Sequence, residues 1–179
     1  MSIRHYRLST FIWRITASHM ITYFIIGFLA YHLLNYQQLY GSHPFSCLMK
    51  PSNSPWVVMG PSLQIVRGII LSLSLWFFKD VFLTGRTGWI KLYALVAGLS
   101  ILSCSTPGPG SIEGIIYTKI PLDNQLIGYF ELFTQTLLFS ILVVYWYKKP
   151  FRAWDIISLL LIISILFFGL MALVSLTTI

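Results

Sequence analysis

The run IISLLLIISILFFGLMALV, residues 156–174, decides the fold class. It carries no charge over its nineteen residues, and a helix needs about 20 apolar residues to cross a hydrocarbon core. The apolar positions are continuous rather than alternating, so the run reads as a membrane helix and not as a barrel strand. Ser164, and Ser175 one residue past the run, are the polar interruptions of note in this helix, and each can bond its own backbone.

Four more stretches share this character, giving expected helices over about 11–36, 62–78, 89–105, 124–147 and 154–177. The whole chain agrees: 56% of residues are hydrophobic, 9% are charged, and mean hydropathy is +0.77. A soluble domain carries roughly a quarter charged residues. The fold class is therefore an all-α membrane protein, a single bundle of about five transmembrane helices spanning 1–179. No internal repeat stands out. The first apolar run exceeds the usual 7–15 residues of a signal peptide and lacks a small-x-small cleavage site, so it is expected to remain as a helix.

Basic residues orient the bundle. Arg4, Arg7 and Arg14 precede the first helix, Lys79, Arg86 and Lys91 flank the turn after the second, and Lys148, Lys149 and Arg152 fill the turn before the last. Lys50, Arg67 and Lys119 fall toward the other side, so nine of the 12 basic residues mark one face. The positive-inside rule makes that face cytoplasmic, with the N-terminus inside and the C-terminus outside. Trp13, Trp76, Trp89, Tyr145, Trp146, Tyr147 and Trp154 fall at the same interface, and Tyr36, Tyr40 and Trp56 at the outer one. The net charge of +7 follows from this topology and from attraction to anionic lipid. Membrane lipid is the expected partner; nucleic acid is not invoked.

Two outer connections, about 37–61 and 106–123, are rich in Pro, Gly and Ser. In the second, Pro107 and Pro109 end the third helix, while Ile112, Ile115, Ile116 and Ile120 are too apolar for a freely solvated loop. It reads either as a cap lying on the bundle or as the lining of a site, with Glu113, Tyr117 and Thr118 as the lining residues.

Ionisable side chains at membrane depth are costly and mark function or helix locking. Arg67 lies about five residues into the second helix and Glu131 about eight into the fourth, or roughly 8 and 12 Å from the outer end. A buried Arg67–Glu131 ion pair is expected. Gln64 stands three residues before Arg67, Gln135 four after Glu131, and Gly128 three before it, on shared helical faces. His32, with Asn35 three residues on, enters at a similar depth. The set reads as a helix lock, as a solute, ion or proton site, or as an acid–base pair. No nucleophile motif, HExxH or phosphate-binding loop accompanies it.

Cys47 and Cys104 both fall on the outer side, where a disulfide between them or two separate thiols are the alternatives; two ligands do not make a metal site. No cofactor is expected. A haem held through His19 and His32 is disfavoured, because thirteen residues advance about 220° around a helix. His19 reads as a helix–helix hydrogen-bonder, and His5 and His43 as solvated. Ala94-x-x-x-Gly98 and Gly169-x-x-Ala172 are small-residue surfaces for internal packing or for another subunit.

Gln64-Ile-Val-Arg67-Gly68, the Pro-Gly-Ser-Ile-Glu-Gly-Ile-Ile-Tyr-Thr of residues 109–118, and Glu131 with Gln135 resemble a loose group of uncharacterised bacterial multi-pass inner-membrane proteins. That resemblance covers the middle half of the chain and implies a bacterial inner membrane without implying an activity. The expected role is a non-enzymatic accessory or structural subunit of a membrane assembly, or a lipid- or solute-binding bundle. The alternatives are a homo-oligomeric transporter or channel using Arg67 and Glu131, and an intramembrane enzyme with Glu131 or His32 as acid or base.

Overall fold

The computed structural model describes residues 7–43, 45–102 and 111–177. Its elements are α1 (Leu8–Leu33), α2 (Tyr36–Gly41), a 3-10 turn (Phe45–Cys47), α3 (Pro55–Val58), α4 (Gly60–Trp76), α5 (Lys79–Leu83), α6 (Gly88–Leu102), α7 (Ile112–Tyr117), α8 (Leu122–Lys148) and α9 (Arg152–Thr177). Among the described residues there is no strand, and three helices are long and apolar enough to cross a membrane: Leu8–Leu33, Leu122–Lys148 and Arg152–Val174. The protein is thus an all-helical membrane protein. With 17 and 15 residues, α4 and α6 fall short of a full crossing. Helix is the outcome throughout because hydrocarbon offers no partner to a free backbone N–H or C=O.

α1 is the axis of the bundle. It packs against α4, α8 and α9, while α6 packs on the far side of α8 and α5 on α6. Every residue from Arg14 to Met20 is buried, so neighbours surround α1 completely over those two turns. Farther along, Phe24, Ile25, Phe28, Leu29 and Tyr31 are exposed. The bundle is therefore closed at the end that carries the basic turns and open at the other.

Phe11, Ile15, Leu75, Leu92, Phe139 and Val143 form the closed-end core. α5 plugs its base with Phe82 and Leu83. Lipid tails are as apolar as these side chains, so close packing rather than water exclusion holds the helices together here. Two small residues set the approach distance. A β-carbon on Gly68 would stand 2.8 Å from Thr16 Cγ2 and 2.9 Å from Thr16 Cα, which places the α1 and α4 backbones almost in contact. Gly169 on α9 similarly faces Ser62 on α4, whose hydroxyl donates to the Ile165 carbonyl at 3.4 Å. The Gly169 surface is thereby used within the chain. Gly98 meets nothing within 4 Å.

Arg14 and the Trp146–Tyr147 pair correct the sequence reading. Arg14 does not precede the first helix; it lies inside α1 and is 8% exposed. Its Nε stands 3.7 Å from Asp155 Oδ1, its Nη1 donates to the Trp146 carbonyl at 3.5 Å, and its guanidinium lies 5.1 Å from the Tyr147 ring centre. Trp146 and Tyr147 are 2% and 5% exposed, so they belong to the core rather than to an interfacial belt. The cation draws the two aromatic faces inward, where they compensate its burial.

The loop after α6 docks through Gln125. This residue is 2% exposed, and its Nε2 donates to the Gly114 carbonyl at 3.0 Å and to Thr118 Oγ1 and the Ile120 carbonyl, each at 3.3 Å. Ser111 caps α7, its hydroxyl accepting from the Gly114 N–H at 2.9 Å. Ile112, Ile115 and Ile116 face outward, and Ile120 is buried. Cys104, and with it any pairing to Cys47, lies outside the described residues, as do His5 and residues 105–110.

Candidate functional site

Three columns of side chains line the open end. On α1, His19 and Tyr23 are four residues apart and share a face, with ring centres 6.2 Å apart. On α4, Gln64 Oε1 accepts from His19 Nε2 at 3.2 Å, and Arg67 follows one turn later. Glu131, Gln135 and Phe139 rise along one face of α8, and the Phe139 ring meets the His19 ring edge-on at 6.1 Å. His19 and Phe139 make the floor of a cleft. α4 and α8 are its walls, standing on either side of α1.

The cleft has a partial roof. Asn35 takes left-handed backbone angles, φ 47° and ψ 56°, which a short polar side chain tolerates and a branched one resists. This reverses the chain at the top of α1 and lays α2 across the cleft. Tyr36 then donates its hydroxyl to Glu131, and the Tyr40 ring stacks on Tyr36 at 5.1 Å between centres. Tyr40 and Tyr23 both feel the Glu131 carboxylate, and Tyr23 also feels Arg67. Tyr36 therefore bonds the carboxylate directly, and Tyr40 stands behind it in the stack.

The direct Arg67–Glu131 ion pair expected from the sequence is not formed. Among the described residues the ion pairs within 4.0 Å are Arg14–Asp155 and Lys79–Asp80. α4 and α8 each pack on α1, Arg67 is exposed, and Glu131 is half-buried under Tyr36. Counting along the chain places the two charges at comparable heights, but each helix packs on α1 and the pair is not closed. Gln64 and Gln135 do lie on the cleft faces. His32 does not: it is exposed beside Phe28 and Tyr31 on the other side of α1.

The lining expected from the second outer loop is also displaced. Glu113 and Tyr117 are exposed, Thr118 is occupied by Gln125 and the Gly114 carbonyl, and α7 packs against α6 and α8. α2 covers the site instead. Tyr23, Tyr36 and Tyr40 are thus the residues that sequence reasoning missed. The signal was a left-handed-tolerant Asn35 just after an apolar run, followed by tyrosines four apart. Among the described residues no group of three or more His, Cys, Asp or Glu is placed to hold a metal ion.

The roof has a pH signature. Burial, reinforced by the hydrogen bond to Glu131, pushes the Tyr36 phenol far above the ordinary tyrosine range. Burial first, and then the charge of Glu131, push Tyr40 up to about 12. A phenol raised on folding favours the neutral form. Its stabilisation is complete below about pH 10 and is lost as pH rises through about 12. An ultraviolet phenolate titration of wild type minus Tyr40→Phe is expected to show a transition near 12. In Glu131→Gln it should move down without reaching 10, because burial remains. A difference transition at the ordinary tyrosine value in wild type would show that α2 does not cover Glu131.

No protein-family model, curated protein or solved structure matches this chain.

Proposed function

We propose that this chain is a five-span, non-enzymatic bundle of a bacterial inner membrane, with its N-terminus cytoplasmic and its C-terminus outside, that holds a small polar solute or a lipid headgroup in the outward-opening cleft. One observation carries the reading: Arg67 and Glu131, opposite charges at membrane depth, stand on opposite walls without an ion pair between them. An unpaired cation at that depth costs about 3 kcal/mol. A helix lock would have closed the pair. A binding cleft keeps both charges available and recovers the cost when occupied.

Binding is favoured over turnover because the acid–base candidates are engaged in structural bonds, Glu131 with Tyr36 and His19 with Gln64. The topology rests on the basic turns, which cluster at the closed end. Five spans require α4 and α6 to cross with the help of the flanking helices α3 and α5.

An accessory-subunit role is the second reading, favoured by the Ala94–Gly98 face of α6. Ala94 is exposed and Gly98 meets nothing within 4 Å, so this close-approach surface is open to another helix. Native mass spectrometry after gentle extraction separates the two. A small-molecule adduct that disappears in Glu131→Gln is the expected result. Recovery only with an added protein subunit would replace solute binding by the accessory role. A homo-oligomer whose reconstituted flux is lost in Glu131→Gln at unchanged yield would instead make the cleft a transport pathway.

A further inference from the structure

We infer that the cleft ligand is a zwitterion, with a quaternary or fully alkylated ammonium seated against Glu131 among Tyr23, Tyr36 and Tyr40, and an anionic end, carboxylate or phosphate, on Arg67. This inference rests on the solute- or headgroup-binding reading above and names the chemical class. Four observations lead to it.

The first is the composition of the Glu131 wall. A carboxylate bonded by Tyr36, with the Tyr40 ring stacked on that phenol, offers one formal charge and negative π-faces, the combination that attracts a bulky organic cation. A hydrated metal cation would need more oxygen ligands than one carboxylate supplies. An alkylammonium without N–H groups needs no hydrogen-bond acceptors, so the Tyr36 hydroxyl can stay on Glu131 while the ring faces left free by the Tyr36–Tyr40 stack receive the cation.

The second is that Arg67 supplies an exposed planar donor fork on the opposite wall, matched to carboxylate or phosphate. The His19 ring joins the two walls, bonded to Gln64 on the Arg67 helix at 3.2 Å and 6.1 Å from Phe139 on the Glu131 helix, so one molecule lying over it can address both. Third, the floor is aromatic and closed: His19 and Phe139 meet edge-on, and the His19–Gln64 hydrogen bond fixes that side of the floor. Fourth, the Tyr36–Tyr40 roof is carried on a six-residue helix behind the left-handed Asn35, so entry requires movement of α2 and not of a membrane span.

A free zwitterionic solute and a zwitterionic lipid headgroup present the same chemistry. The test uses the full chain in maltoside micelles, titrated calorimetrically with trimethylglycine, choline and acetate as probes. Trimethylglycine is expected to bind at least about tenfold more tightly than either half-molecule, since both charges contribute. Arg67→Gln should bring it to the choline level and Glu131→Gln to the acetate level. Tyr40→Phe, which keeps the ring face, should retain affinity, whereas Tyr40→Leu should lose about fivefold or more. That contrast holds even where a charge variant folds poorly.

Repeating the titration in phosphatidylcholine and phosphatidylglycerol nanodiscs separates the sources. Loss of trimethylglycine binding only in phosphatidylcholine assigns the site to the headgroup, and binding in both assigns it to a free solute. Trimethylglycine binding no tighter than choline or acetate overturns the zwitterion. If native mass spectrometry still shows an adduct dependent on Glu131, solute binding survives with another ligand class. If no adduct forms, both readings fall together.

Discussion

Gly68→Leu is expected to remove most of the folded protein. A β-carbon at this position would already press against the Thr16 backbone at 2.9 Å, and Thr16 cannot retreat because α1 is surrounded over that turn. Overpacking a rigid site costs about 1–3 kcal/mol per insertion, and a leucine adds three more carbons to the same contact. The smaller Gly68→Ala should cost about 2 kcal/mol despite the better helix propensity of alanine. Gly98 supplies the control. Nothing lies within 4 Å of its added β-carbon, so Gly98→Ala should be neutral or stabilising by up to about 1 kcal/mol. Thermal unfolding of purified protein in detergent checks both. Equal behaviour of the two glycine variants would show that α1 and α4 are not in close contact. In the folded fraction of Gly68→Ala the His19–Gln64 bond should also be lost, because it depends on the same α1–α4 spacing.

Asp155→Ala should be the next most damaging change, at about 2 kcal/mol. It leaves the 8%-exposed Arg14 with a carbonyl at 3.5 Å and two aromatic faces, but without a counter-charge. Removing one member of a fully buried pair costs about 3–5 kcal/mol; the Asp155 side chain is 41% exposed, so water takes up part of the loss. The double variant Arg14→Met, Asp155→Asn is expected to recover most of it, since an unbranched apolar side chain can fill the Arg14 stem position without a charge. Stability in the order wild type, double variant, Asp155→Ala supports the lock between α1 and α9. An Asp155→Ala protein as stable as wild type would remove it.

Much of this was readable from local pattern. The apolar runs located α1, α8 and α9 to within a few residues, because span length is a one-dimensional property of the chain. Proline and glycine clusters located the connections, but not the short helices α2, α3, α5 and α7 inside them, which form by docking onto the bundle rather than by propensity. His19 as a helix–helix hydrogen-bonder was likewise legible, since a neutral imidazole on a buried helix face seeks a partner and Gln64 supplies one. Arg14 and the Trp146–Tyr147 pair were misread for one shared reason. Basic and aromatic residues near a helix end ordinarily snorkel to the interface, and only the convergence of α1, α8 and α9 turns these three inward.

The sequence by itself determined that this is a helical membrane protein, because span length and continuous apolar character follow from counting along the chain at a fixed rise per residue. Only the tertiary structure decided which polar residues meet. Arg67 and Glu131 sit on two helices that each pack on α1 and do not pair, and Glu131 finds Tyr36 instead. Depth is set by position in the chain, whereas the bearing of one helix around another is set by which surfaces can approach. Here that was decided by a glycine at position 68 fitting against Thr16 and by an asparagine at 35 turning α2 back over the cleft.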